Sequence, residues 1–383
     1  MKILQILPEF NAGGVERCVA ELATHFVRQG DESLVISNGG AMVPALEASG
    51  VRHITMPVHR KHPASLLQVG PLRRLLAAER PDILHLHSRL PAWIAWLAWR
   101  GLPAATRPRL VTTVHGFYSK GRYSAIMTKG ERIIAVSHSV ERYILESYPD
   151  ADPRRIVTIP DGVDPVLFPA GYQPPASWRE AWEKNHPEAR YRLLITLPGR
   201  LTRLKGHHDL IRIIGALKHL PVQGVIAGGT DPKKTAYEKE LRQAVAQAGL
   251  EDRITFNGAC DNLRDILAAS SVVLSLSTKP EAFGLTTLEA LGLGVPVVGY
   301  DHGGVGEQLG ALLPLGKVAP GNWMAAAQRV ADFLAERPSI ATNHPYTLAR
   351  SLAATGDVYG DLLGQTEQQA RHEQPSFAVI SAR

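Results

Sequence analysis

The chain of 383 residues is too long for one ordinary core and fits two domains, each able to bury its own apolar surface. Hydrophobic residues make up 45%, charged residues 20% and aromatics 6%, a globular α/β profile that excludes a disordered or fibrous chain. The net charge of +6 is uneven: residues 1–165 hold 20 Lys and Arg against 15 Asp and Glu, the remainder 22 against 21, so the first half suits an anionic partner or carries a solvated basic surface.

Cys18 and Cys260 stand far apart without metal-ligand spacing, which supports neither a disulfide framework nor a zinc site and makes a reducing cytosol the expected setting. The opening run MKILQILPEF stops at Pro8 and Glu9, a first strand too short for a signal peptide. No apolar run approaches the roughly 20 residues that span a bilayer, so an integral membrane protein is not expected.

In chain order, short β-rich runs alternate with helical periods. KILQIL (2–7) precedes a segment in which Val15, Cys18, Val19, Leu22, Ala23, Phe26 and Val27 share one helical face, with Gly30 where a C-cap belongs. Further strands are predicted at 33–37, 52–56, 82–87, 110–114, 132–137 and 155–160. The Pro-rich segment 169–190 reads as the connection between domains. A second series follows at 192–199, 222–229, 253–258, 271–277 and 295–300, then helices at 322–337 and 345–363 and a loose tail after Gln365. Such alternation predicts two doubly wound parallel sheets, with the ligand in a cleft at the carboxyl ends of their strands.

Several motifs could carry chemistry. In EAFGLTTLEALGLG (281–294) the segment Gly284 to Thr287 should open a helix, whose free N–H groups and dipole make an anion site. Glu281 would then face the cleft from the loop and Glu289 lie inside the helix, two carboxylates suited to hydroxyls, although a surface residue and a loop charge explain the spacing as well. In LPGRLTRLKGH (197–207) Gly199 lets the backbone turn, and Arg200 and Lys205 suit a diphosphate or a solvated basic loop. Gly13 and Gly14 lie between the first strand and its helix without a full G-x-G-x-x-G, so they serve close ligand approach or a bare turn and give an NAD site little support.

His115 follows a buried strand and should face the cleft. His85 and His87 alternate along another strand in structural roles, and His138 caps or packs nearby. Asp150 and Asp152 have a D-x-D spacing but sit in a Pro-rich turn, so no metal is expected. Trp93, Trp96 and Trp99 at i, i+3, i+6 read first as a helix packed on its sheet. The basic residues of HRKHP (59–63), with Arg73 and Arg74, suggest contact with an anionic membrane surface.

Taken together, GGVE at 13–16, GRLTRLKG at 199–206, the E-x7-E of 281–289 and IPDGVD at 159–164 resemble the retaining glycosyltransferases of the GT-B type, family 4 (glycosyl transferases group 1), across essentially the whole chain. The resemblance implies two Rossmann-like domains facing a cleft: an acceptor-side domain at 1–168, joined by a crossover from about 345 to 383, and a donor-binding domain at 169–344. It implies a nucleotide-sugar donor, with UDP expected, and a glycolipid or growing glycan acceptor of the lipid-linked or lipopolysaccharide kind. No metal or cofactor and no nucleic acid are expected, and the setting is cytoplasmic at the inner membrane face.

Residue by residue, the resemblance implies that Arg200 and Lys205, with the amides of Phe283, Gly284 and Leu285, meet the diphosphate. Glu289 would bind the ribose hydroxyls, Glu281 would hold the transferred sugar, and His115 would touch that sugar near the reacting face. Gly13 and Gly14 would let the backbone approach the donor phosphate or the acceptor. Ala282 and Asp161 depart from the family's usual Pro and Asn. A nucleotide-sugar epimerase and a non-catalytic scaffold of a polysaccharide assembly complex are the alternatives.

Overall fold

The computed structural model describes residues 1–364 except 12, 61, 230–234, 260–262 and 342–343. The chain divides into two compact units: Met1–Val136, Glu141–Ile159 and residues 350–364 form the first, and Ser137–Val140 with Pro160–Ala349 the second, among the described residues. The segment from Pro160 belongs to the second unit because Val163 bridges to Thr347 and the Phe168 backbone packs at Gly292. The expected tail after Gln365 and Cys260 lie outside the described residues.

The first unit contains seven parallel strands, β1 Lys2–Ile6, β2 Glu32–Ser37, β3 Arg52–Thr55, β4 Ile83–Leu86, β5 Arg109–Val114, β6 Arg132–Ala135 and β7 Ile156–Thr158, in the order β3-β2-β1-β4-β5-β6-β7. Helices on both faces cover the central strands, which therefore read as near-continuous apolar runs. Helix Gly14–Arg28 buries Val19, Leu22, Ala23 and Phe26, the centre of the face that periodicity predicts. Helix Leu348–Leu363 brings Val358 and Tyr359 into a cluster with Ile3, Phe26, Ile83 and Val111. The Phe26 and Tyr359 rings lie 5.3 Å apart, and burying each side chain stabilises the unit by about 1.5–3 kcal/mol.

The second unit is built alike from six parallel strands, β8 Leu193–Pro198, β9 Val222–Ala227, β10 Ile254–Gly258, β11 Val272–Ser275, β12 Val297–Tyr300 and β13 Lys317–Val318, in the order β10-β9-β8-β11-β12-β13. The two-residue β13 is an addition to the predicted set. Two doubly wound parallel sheets are thus present. In each, the winding reverses between adjacent strands, β1 and β4 in one sheet and β8 and β11 in the other, which opens a crevice at their carboxyl ends.

The Pro-rich segment 169–190 is more than a connection. It holds a helix, Ala176–Asn185, whose Trp178 and Trp182 stack at 5.6 Å and pack on Leu194, Val225 and Ile266. Two aromatics at i and i+4 give a short helix enough apolar area to dock, which prolines on either side of it obscure in the sequence.

Candidate functional site

In the second unit, the loops after β8 and β11 are locked together by glycines. Gly206 has φ +76, and a Cβ there would stand 2.1 Å from the Leu276 carbonyl oxygen, so the loop 199–206 lies directly against the end of β11. The Thr278 N–H donates to Leu204 O at 2.8 Å and completes the join. This brings Lys205 to Glu281: Nζ donates to Oε1 at 2.7 Å, and the Ser277 hydroxyl donates to the same oxygen. Both members of the ion pair are about one-quarter exposed, which leaves them open to exchange partners. Arg200 is exposed and carries no ion pair among the described residues.

The loop 281–284 rests on a second cradle. Gly303 (φ +59) places its Cα where a Cβ would meet Glu281 O at 2.3 Å, and a Cβ on Gly304 would meet Phe283 Cα at 2.5 Å. The Gly304 N–H donates to Glu281 O at 2.9 Å and the Gln308 amide to Phe283 O at 2.9 Å. Phe283 is itself buried, edge-on to Tyr346. Gly284, at φ +94, then opens helix Leu285–Gly292 without a side-chain cap. The N–H groups of Phe283, Gly284 and Leu285 donate to nothing among the described residues, the arrangement that favours an anion. Glu289 lies within this helix at 5% exposure, so it is a buried carboxylate and not a surface charge.

In the first unit, Gly13 and Gly14 are exposed at the start of helix Gly14–Arg28, with Gly13 extended and offering no side-chain cap. His115 follows β5 and is partly exposed, and its Nε2 lies 3.1 Å from His87 Nδ1. His87 Nε2 lies 2.9 Å from Gln5 Oε1. His85 is held between Tyr359 Oη at 2.6 Å and Thr113 Oγ1 at 2.7 Å, its ring 4.0 Å from that of His87. Burial drives all three imidazoles toward neutrality, His85 down to about 3, His115 to about 4 and His87 well below its ordinary value.

The Glycosyltransferase Family 4 model matches residues 12–167 and the Glycosyl transferases group 1 model residues 179–346. The chain belongs to the GT-B glycosyltransferases of family 4.

This glycosyltransferase is similar to a D-inositol 3-phosphate glycosyltransferase of Gordonia bronchialis, 26% identical over 83% of this chain and 76% of that one. A lipopolysaccharide core biosynthesis mannosyltransferase of Rhizobium meliloti, LpsB, is 35% identical over 40% of this chain and 44% of its own. Among solved structures, a glycosyltransferase from Rickettsia africae superposes with a TM-score of 0.81 at 27% identity, covering 94% of this chain and 98% of that one. Anabaena HepE in complex with UDP and glucose gives 0.74 at 21% identity, covering 97% and 99%.

Some side chains of this glycosyltransferase sit elsewhere than the sequence suggests. The buried face of helix Arg89–Arg100 is Pro91, Ala92, Ile94, Ala95 and Ala98. The tryptophans lie off that face: Trp93 and Trp99 donate to the carbonyls of Tyr123 and Pro108, and Arg100 lies over the Trp96 ring. Helix His138–Ser147 is capped by the Ser137 hydroxyl, which accepts from Val140 N–H. Asp152, by contrast, lies in a turn as the sequence suggests, where it caps Pro153–Arg155 and binds the Arg154 guanidinium.

Ser277, Gly303, Gly304 and Gln308 form the support that sequence reasoning missed. A usable signal was present in DHGGVGEQ (301–308), a glycine pair opening a helix directly after a strand. No helix among the described residues is long and apolar enough to cross a membrane.

Proposed function

We propose that this glycosyltransferase moves a hexose from a UDP-sugar to a lipid-linked or lipopolysaccharide-type acceptor, with retained configuration and without a metal ion. The observation that carries the donor half is the juxtaposition of Lys205, Glu281 and three unpaired amides on one glycine-cradled loop system. Arg200, Lys205 and the amides of Phe283, Gly284 and Leu285 take the diphosphate. Glu289, buried and shielded from bulk water, takes the ribose hydroxyls. Glu281 and His115 contact the transferred sugar, and Gly13 and Gly14 admit the donor phosphate or the acceptor.

In the reaction, the acceptor oxygen bonds to the anomeric carbon as the bond from that carbon to the diphosphate breaks. The electron pair goes to the diphosphate, and the acceptor's proton follows it to a phosphate oxygen. Attack comes on the face the nucleotide leaves, so configuration is kept. Fixed cations and amides meet the developing charge, and Glu281 stabilises the cationic character at the sugar.

The UDP assignment is supported by the likeness to HepE and the acceptor by the likeness to LpsB. Membrane contact is supported by Leu66 and Leu67, 50% and 73% exposed, in the first unit that also carries exposed Arg73 and Arg74. The setting would be the cytoplasmic face of that membrane. The basic first half and the likeness to a D-inositol 3-phosphate glycosyltransferase favour a second acceptor class, a small phosphorylated polyol.

A thermal-shift panel in EDTA with UDP, GDP, ADP, CMP and their sugar conjugates tests the donor site. Stabilisation by UDP and a UDP-hexose is expected, because a ligand of the native state raises its melting temperature. No shift with any of them would sink the reading. Transfer assays with lipid-linked and soluble phosphorylated acceptors then separate the two acceptor classes.

A further inference from the structure

A row of polar side chains crosses the largely apolar centre of the first sheet. Gln5 stands in β1 between Leu4 and Ile6, all three fully buried, and its amide Nε2 is enclosed with no hydrogen-bond partner among the described residues. An apolar residue would avoid that penalty, so the retained amide asks for a purpose. Its other atom, Oε1, accepts from His87, which is 3% exposed, and His87 in turn meets His115.

Each link in this row admits one proton in one orientation. An amide oxygen accepts and never donates, so His87 carries its hydrogen on Nε2. The imidazole is neutral, so His87 Nδ1 holds a lone pair and accepts from His115 Nε2–H. His115 is neutral as well, which leaves its lone pair on Nδ1. That nitrogen has no partner among the described residues and is not among the enclosed atoms. His85 transmits no such polarity, because the Tyr359 and Thr113 hydroxyls that flank it donate or accept equally. It packs against His87, the ring centroids 4.0 Å apart and the planes tilted by 40°.

We propose that Gln5 and His87 are positioning residues that fix His115 in the Nε2–H tautomer, so that Nδ1 meets the donor sugar as a hydrogen-bond acceptor and selects a sugar bearing a hydroxyl there over one bearing a carboxylate. The proposal rests on His115 as a sugar contact. An isolated neutral imidazole exchanges between tautomers, and the hydrogen bond at one nitrogen decides what the other offers. A hydroxyl donates to Nδ1, whereas a carboxylate oxygen would face it lone pair to lone pair. The polarity turns on one atom: an amide nitrogen in the place of Gln5 Oε1 would reverse every proton in the row.

The test is nitrogen-15 NMR of histidine-labelled full-length protein, with His115→Asn identifying the His115 signals. Wild type should show Nδ1 unprotonated, and that resonance should move on adding UDP-glucose but stay in place with UDP alone. Gln5→Glu keeps an acceptor facing His87 and should keep the tautomer. Gln5→Met, of similar length without an acceptor, should mix the two tautomers and lower kcat about tenfold, with the KM for donor little changed.

A wild-type His115 protonated at Nδ1, or a Gln5→Met spectrum identical to wild type, would overturn the relay. An Nδ1 resonance unmoved by UDP-glucose that binds in the thermal-shift assay would overturn the sugar contact. A chain that binds no nucleotide sugar fails the donor reading in that assay instead, and the tautomer of the free chain still decides the relay.

Discussion

At the carboxyl edge of the second sheet a lysine and a glutamate form an ion pair, Lys205 with Glu281 at 2.7 Å, each about one-quarter exposed. At the same edge of the first sheet, three histidines are held neutral, and two of them, His85 and His87, are only 1% and 3% exposed. The difference follows from what each edge is proposed to meet. A diphosphate is recognised by full charges that must stay solvated enough to remain charged. A sugar hydroxyl is recognised by the direction of a hydrogen bond, and direction is best fixed where water cannot offer substitutes.

The contrast can be broken most directly at Glu281. Glu281→Ala should lower transfer by about 100- to 1,000-fold while nucleotide affinity is kept, and Arg200→Ala should weaken nucleotide binding by about 1.5–3 kcal/mol and transfer with it. Calorimetry with UDP beside a transfer assay reads both, and equal losses of nucleotide affinity would dissolve the division of labour.

Acid should act mainly on the neutral edge. Below pH 6.5 the unfolded chain takes up protons that buried His85 and His87 refuse, so stability is complete above that pH and is lost as pH falls toward the folded value, about 3 for His85. Between pH 7 and 5 His85 should contribute a loss of about 2 kcal/mol, and His87 a loss in the same direction. Urea unfolding of wild type and His87→Gln across that range checks it, with a shallower dependence expected in the variant.

Gly303→Ala probes the support of the charged edge. With φ +59 and a new Cβ 2.3 Å from Glu281 O, it should cost about 1–3 kcal/mol and weaken UDP stabilisation. An unchanged UDP shift would show that the cradle does not set the loop. Smallest of all, Tyr359→Phe removes the hydroxyl at His85 Nδ1 and should cost about 1 kcal/mol in chemical denaturation, with UDP stabilisation unaltered.

The sheets were legible because strands buried on both faces are written as unbroken apolar runs, and the ends before Pro8 and Pro280 were marked by residues a strand rejects. The helix at Gly284 was legible from the glycine and the spacing behind it. The pairing of Lys205 with Glu281 was not, since 76 residues separate them and only the meeting of β8 with β11 brings their loops together. The Trp stripe misled because a tryptophan satisfies its N–H at a backbone carbonyl off the core as readily as it fills a core. Gln5 was overlooked although a lone amide in KILQIL is the strongest local anomaly of that strand.

The Lys205–Glu281 pair has one further consequence, for turnover. With the roles proposed, donor binding separates the two side chains, Lys205 going to the diphosphate and Glu281 to the sugar. Transfer removes the sugar first and leaves Glu281 without its ligand while Lys205 still grips the spent nucleotide. The carboxylate is then the nearest rival for that ammonium, and its return loosens the product and resets the site for the next donor.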